Sequence, residues 1–344
     1  MLDNHWYILG AGSIGCLFSC MFQRANIHST LLVRPQLVQP PIARHKAQTH
    51  SPPVAKSTKA ISFTFLDGSS QCISVDTQAT DCTQPPIRQL LLTTKAHQSQ
   101  QAINDIKSRL TKDAIIVVMQ NGMGVAEQLQ AQLPHCTIIV ATTTEGANRP
   151  TENAVIHAGS GETWIGNLVS SNQPDDIALS TAHNIAHNID QSSAQNMSQC
   201  IVQQWQRTGL SIQYDQNISL RIWIKLAVNS AINPLTVKYQ CANGALLDNP
   251  EALALMQKIC LELKDVMTAK NIPITTDLFS TVKQVARNTQ NNISSMLQDH
   301  RNHRPTEIHY INGYVVTQGQ RLNIPTPINQ ALIQEIDNMA YQKS

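Results

Sequence analysis

His5-Trp6-Tyr7-Ile8-Leu9-Gly10-Ala11-Gly12-Ser13-Ile14-Gly15 is the stretch on which the fold turns. His5 to Leu9 is a short apolar run that reads as a buried strand, and Cys16 to Ala25 reads as an apolar helix. Between them stands G-x-G-x-x-G. Strand, glycine turn and helix in that order are the context a dinucleotide fingerprint requires. The glycines permit the tight turn, let backbone approach a pyrophosphate and let the helix pack on the strand. The helix start, with Ser13 and Ile14, turns unpaired N–H groups to the phosphates. The same glycines could form a ligand-free turn, but such a turn has no need of both flanking elements.

Moving outward, Thr30 to Val33 is the second strand and it ends at Arg34. An NAD-binding chain would carry an Asp or Glu near this point for the ribose 2′-hydroxyl. No acidic residue occurs between Asp3 and Asp67; Arg34, Arg44 and Lys46 stand there instead. A guanidinium suits a 2′-phosphate by charge and by bidentate geometry, so the expected cofactor is NADP. Gln36 to Lys59 is proline-rich, basic and aperiodic, and reads as loop. Ile61 to Phe65 and Cys72 to Val75 flank Asp67-Gly68 as a hairpin. Gln89 to Thr93 is a buried strand whose carboxyl end presents Lys95, on the side where open α/β sheets bind ligands. Ala114 to Met119 is another, and it delivers Asn121 and Gly122 to the same edge. Thr137 to Thr143 is a further strand, and Ala154 to Ile165 alternates like a hairpin around Gly159 and Gly161. Asn167 to Gln204, rich in Gln, Asn and Ser, reads as a loop plus a helix.

Composition limits what such a chain can be. Its 344 residues suit two domains, and 42% hydrophobic against 14% charged residues allows a sizeable core. A net charge of +2 gives no footing for nucleic acid or an anionic membrane. No apolar run reaches the ~18 residues of a membrane span, and the start lacks a signal-peptide pattern, so a cytoplasmic location is expected. Eight cysteines are scattered without Cys-x-x-Cys, and read as reduced and mostly buried. His183 and His187 are four apart but have no third ligand, so no metal is expected.

The second half changes character. From Gln216 the pattern is helical: Asn249-Pro250 opens a helix to Lys270, and Asp277 caps the next, to about Gln290. Others start in Asn292 to Leu297, at Thr306 and at Thr326-Pro327. Just past the junction lies Arg221-Ile222-Trp223-Ile224-Lys225-Leu226-Ala227-Val228-Asn229-Ser230-Ala231-Ile232-Asn233-Pro234. Lys225, Asn229 and Asn233 recur every four residues, which stacks one cation and two carboxamides in a row on a helix. Pro234 is expected to end that helix just after Asn233. Taken alone, the row admits two roles: a lysine snorkelling at a rim with amides capping backbone, or a cation and donors that grip a polar substrate.

Several stretches together resemble the ketopantoate reductase (2-dehydropantoate 2-reductase) family: Gly10 to Gly15, Thr94-Lys95-Ala96, Asn121-Gly122-Met123-Gly124, Ala141 to Thr144, Lys225 to Thr236, Asn292 to Asp299 and Thr306 to Gly313. The resemblance runs through most of the chain in order. It implies a Rossmann-type α/β NADP-binding domain over 1–214. An all-α substrate domain over 215–344, like the C-terminal fold of 6-phosphogluconate dehydrogenase, would follow. The implied reaction is NADPH-dependent reduction of 2-dehydropantoate to pantoate in pantothenate biosynthesis, by a monomer or homodimer. Carried over by position, Lys225 is the general acid, with Glu307 setting it and holding the substrate's hydroxyl region and the cofactor. Asn229, Asn233, Asn243 and Ser295 bind substrate, the serine at its carboxylate. Arg34 takes the 2′-phosphate, while Lys95 and Asn121 lie at the cofactor and nicotinamide side. The chemistry agrees: hydride arriving at a carbonyl carbon builds charge on oxygen, and a nearby ammonium stabilises it and donates a proton.

Overall fold

A computed structural model describes residues 4–35, 57–82, 85–167 and 191–341. Two compact units emerge: Met1–Gln120 with Val125–Ile218, and Asn121–Gly124 with Ser219–Ser344.

In the first unit the chain runs β1 (His5–Leu9), α1 (Ser13–Arg24), β2 (His28–Val33), β3 (Ser57–Thr64), β4 (Ser70–Ala79) and β5 (Ile87–Leu92). It continues through α2 (Ala96–Ile106), β6 (Leu110–Val118), α3 (Val125–Gln132), β7 (Thr137–Thr143), β8 (Gly146–Thr151) and β9 (Ala154–Gly159). β10 (Glu162–Asn167), α4 (Gln191–Gln206) and β11 (Ser211–Tyr214) complete it. Among the described residues these strands form one sheet in the order β11-β10-β7-β6-β5-β1-β2-β4-β3-β9-β8. β2, β1, β5, β6 and β7 are mutually parallel neighbours, which is why they read as unbroken apolar runs. The strand order reverses at β1, with β2 on one side and β5 on the other. Loops leaving carboxyl ends at such a switch point form the ligand crevice of a doubly wound sheet. Leu9 pairs with Leu32 and with Leu92, so Gly10, Arg34 and Lys95 all follow strands that end along one edge. Behind that edge Trp6, Phe18, Phe22 and Trp205 pack ring on ring, Trp6 to Trp205 at 5.0 Å between centroids.

Two expectations for this unit need correction. Ser57 to Lys59 belong to β3, not to a loop, because each residue from Ser57 to Thr64 finds an antiparallel partner on β4. Gln36 to Lys56, with Arg44 and Lys46, lie outside the described residues, as do His183 and His187. Ala154 to Ile165 is not a hairpin either. β9 pairs with β8 and β3, while β10 pairs with β7 and β11. Alternation marks both as strands but does not choose their partners. The choice is made at Gly161, whose backbone lies so close to Thr144 and Glu145 that a Cβ would overlap them. Thr144 N then donates to Glu162 O at 2.9 Å, and β10 is drawn back to β7.

The second unit is helical: α5 (Ile218–Tyr239), α6 (Pro250–Ala269), α7 (Leu278–Asn288), α8 (Ser295–Arg301), α9 (Ile308–Arg321) and α10 (Pro327–Tyr341). Its core joins Trp223, Leu226, Met256, Leu263, Ile311 and Leu332. The caps foreseen at Asn249 and Asp277 are made: Asn249 Oδ1 accepts from Glu251 N and Ala252 N, and Asp277 Oδ2 from Ser280 N.

The helix carrying Lys225 does not end at Asn233. α5 runs through Pro234 to Tyr239. Proline costs a helix mainly the bond it cannot donate to the carbonyl four residues back. Here that carbonyl is Ser230 O, and Asn312 Nδ2 on α9 supplies the missing donor at 3.0 Å. Asn312 Nδ2 also donates to Asn329 Oδ1 at 2.9 Å, and Asn329 Nδ2 donates to Glu262 Oε2 at 2.7 Å. Glu262 in turn accepts from Ile328 N and Asn329 N at the start of α10. A tertiary network has replaced a local bond.

Candidate functional site

In the first unit the glycine turn is built for close approach. Gly10 has φ +121°, and a Cβ there would stand 2.5 Å from Thr94 N. Thr93 Oγ1 donates to Gly10 O at 2.9 Å, tying the turn to the end of β5. Gly15 sits so tightly on Gly10 that any side chain would overlap its carbonyl. Gly12 differs: nothing lies within 4 Å of where its Cβ would be. It caps α1 without a side-chain bond, and the first turn of α1, beginning Ser13-Ile14, holds no acidic residue. These features fit a dinucleotide's diphosphate, which needs N–H groups, a positive helix end and no side chain in the way.

Arg34 is exposed at the end of β2 and Lys95 is half-buried at the start of α2. Gln120 Nε2 donates to Thr94 O at 2.8 Å, which holds the loop after β6 against the one after β5. Thr93, Thr94 and Gln120 carry no assigned role in the sequence reading, which places Thr93 at a strand end and Thr94 beside Lys95. Polar residues directly after a buried strand were the available signal.

The second unit gathers the remaining candidates. Lys225 and Asn229 are half-buried on α5, and Asn233 is buried one turn further. Glu307, 4% exposed, caps α9 and acts electrostatically on Lys225. Burial pushes the lysine's pKa down to about 8, and the Glu307 carboxylate opposes that shift. A lysine whose folded pKa lies below its unfolded value of 10.5 destabilises the fold while charged. That cost is full below about 8 and fades as pH rises toward 10.5. A charge kept where it costs stability is characteristic of function.

Thr236 Oγ1, one turn past Asn233, lies 2.6 Å from Ser294 Oγ, the cap of α8, and so anchors the helix on which exposed Ser295 is the first residue. Asn243 is buried; its N–H donates to Asn292 O and its Nδ2 to Thr289 Oγ1, while Oδ1 has no donor among the described residues. Asn121 belongs to this unit as well. The loop it opens is held by Met123 N donating to Tyr310 O at 2.9 Å, in the first turn of α9 beyond Glu307. Gly122, at φ +83°, presses on the Tyr310 carbonyl where no side chain fits. This tie was not foreseen, although Gly122 and Gly124 flanking Met123 were a sign of close approach.

Among the described residues no group of His, Cys, Asp or Glu is placed to hold a metal ion, and no helix is long and apolar enough to cross a membrane. All eight cysteines are free, Cys72 and Cys200 being exposed.

The family model described as ketopantoate reductase PanE/ApbA matches residues 6–170, and the model of that family's C-terminal part matches residues 217–340. The 2-dehydropantoate 2-reductase of Vibrio cholerae is 38% identical over 253 residues, spanning 73% of this chain and 77% of that protein. Among solved structures, a ketopantoate reductase from Ralstonia eutropha JMP134 superposes with a TM-score of 0.79 at 21% identity, over 98% of this chain and 99% of that one. A D-mandelate dehydrogenase solved with NADH and anilino(oxo)acetate also superposes at 0.79, at 20% identity, with the same coverage. These two structural likenesses establish the fold alone.

Proposed function

The chain belongs to the ketopantoate reductase family, and from that membership we propose how its residues divide the work. It is an NADP-dependent oxidoreductase that reduces the ketone of 2-dehydropantoate to pantoate, a step of pantothenate biosynthesis. The observation that carries the residue assignment is the half-buried Lys225, with its pKa near 8 and Glu307 acting on it within the same helical unit.

When bound, NADPH supplies the hydride. Gly10, Gly12, Ser13, Ile14 and Gly15 hold its diphosphate, Arg34 its 2′-phosphate, and Lys95, Asn121 and Glu307 its nicotinamide side. Lys225 holds a proton at Nζ, stabilises the charge growing on the ketone oxygen and then delivers that proton. Asn229 and Asn233 donate amide hydrogens to substrate oxygens. Asn243 Oδ1, a buried acceptor with no donor among the described residues, suits the substrate's hydroxyl. Ser295 donates to the substrate's carboxylate. Glu307 keeps Lys225 protonated at neutral pH, against its burial. We assign the enzyme to the cytoplasm as a monomer or homodimer.

The direct test is consumption of NADPH by the purified protein with 2-dehydropantoate, with NADH in parallel. Cofactor binding without substrate-dependent turnover would remove the substrate assignment. Because the fold also serves a dehydrogenase solved with NADH, cofactor choice must come from side chains. Arg34→Ala therefore raises KM for NADPH by about 10-fold or more while leaving NADH within about twofold, the effect of losing one charged bidentate contact. Equal changes for both cofactors would refute the 2′-phosphate role.

The Lys225 pKa fixes a pH dependence as well. A general acid must be protonated, so kcat/KM falls as pH rises through about 8 rather than near 10.5. In Glu307→Gln the carboxylate that raises the lysine's pKa is gone, and this limb moves to lower pH. A limb that stays put or moves up would contradict the pairing.

A further inference from the structure

We propose that Arg149 is a second cationic determinant of cofactor binding, distinct from Arg34. It fixes the peptide that faces the cofactor's diphosphate and sets a positive charge beside it. The proposal rests on the cofactor reading above.

Arg149 lies on β8, and β8 and β9 pack against α1. Its Nη1 donates to Ala11 O at 2.5 Å and its Nη2 to Glu152 O at 2.9 Å. Ala11 is the middle residue of Gly10-Ala11-Gly12. In a trans peptide the C=O and N–H point in opposite directions. Anchoring Ala11 O on Arg149 therefore turns the N–H of Gly12 the other way. Gly12 is also the position whose Cβ direction is open. One guanidinium thus orients the donor at the point of closest approach.

The charge is the second argument. A helix N-terminus is its positive end, where cations are unfavourable and anions welcome. Burial raises the Cys16 pKa, and the charges of Arg149 and Lys59 oppose that, which places both cations by the first turn of α1. That turn contains no acidic residue. Lys59 is balanced by Glu152 at 3.1 Å. Among the described residues both hydrogen-bond partners of Arg149 are neutral carbonyls. Its Nε is closed off from solvent with no partner among the described residues. Two carbonyls could be held by a neutral amide at less electrostatic cost. A guanidinium at this place is explained by an anion at the same place, and the diphosphate is that anion.

Calorimetric titration with three probes separates the roles: NADPH, ADP-ribose (diphosphate without a 2′-phosphate) and 2′-AMP (2′-phosphate without a diphosphate). Arg149→Met weakens NADPH and ADP-ribose together by roughly 10- to 100-fold, the range for one charged contact, and leaves 2′-AMP within about twofold. Arg34→Ala gives the converse for ADP-ribose and 2′-AMP. Unchanged binding of ADP-ribose to R149M overturns the proposal, and so does a loss confined to NADPH and 2′-AMP. Should R149M fail to fold, Arg149→Lys decides: it keeps a charge but cannot bridge two carbonyls, so ADP-ribose weakens while 2′-AMP does not, and wild-type affinity for all three probes refutes the role. A wild-type protein that binds neither NADPH nor ADP-ribose would instead sink the cofactor reading beneath it.

Discussion

Lys225→Ala lowers kcat by roughly 10²- to 10⁴-fold, the range for losing a general acid. The figure stands at the larger end because Lys225 has two tasks: its charge stabilises the developing alkoxide and its proton completes the product. Truncation to alanine leaves the rest of the α5 row, Asn229 and Asn233, in place, so substrate binding falls far less than turnover. It also leaves the buried Glu307 carboxylate without its opposing cation, so the melting temperature falls while the protein stays folded at the assay temperature. The limb near pH 8 disappears from what activity remains. Steady-state kinetics and thermal melting on the same preparation check all three statements. A folded K225A protein with near-normal kcat would end the general-acid role.

Glu262→Ala destabilises the protein by about 3 kcal/mol or more, measured by urea unfolding, since it strands several buried donors at once. Glu262 is 8% exposed and accepts from Ile328 N, Asn329 N and Asn329 Nδ2. Without it, the start of α10 loses its acceptor and Asn329 loses the contact that orients its amide. Asn329 Oδ1 in turn holds Asn312, which serves the Ser230 carbonyl left open by Pro234. Glu262→Gln keeps one acceptor oxygen and loses less. A loss within about 0.5 kcal/mol, typical of a surface change, would show that the network is not cooperative.

Both halves of the fold were legible where physics is local. His5–Leu9, Gly10 to Gly15 and α1 declared themselves through strand, glycine turn and helix. Asn249 and Asp277 marked helix starts because a cap is a contact between near neighbours. The misreadings share one cause. Pro234 ought to end a helix when only its own turn is considered; Asn312, 82 residues along the chain from Ser230, rescues it. Ala154 to Ile165 looked like a hairpin because alternation reports a face, whereas the partners of β9 and β10 are set by Gly161 against Thr144 and Glu145. The site followed the same division. Lys225, Asn229 and Asn233 were visible as a helical row. The hold of Tyr310 on Met123 and of Arg149 on Ala11 joins residues far apart in sequence, and no periodicity reports such pairs.

The membership of Asn121–Gly124 in the helical unit bears on how the chain comes to be folded during synthesis. Met123 shares a core with Trp223, Ile308 and Ile311, residues that leave the ribosome about 100 to 190 positions later. Until then its side chain lacks that core and its N–H lacks the Tyr310 carbonyl. The helical unit is equally dependent. A fragment cut at Ser219 would lack the Met123 donor to Tyr310 O and one piece of its core, so the helical unit is completed by a segment made long before the rest of it.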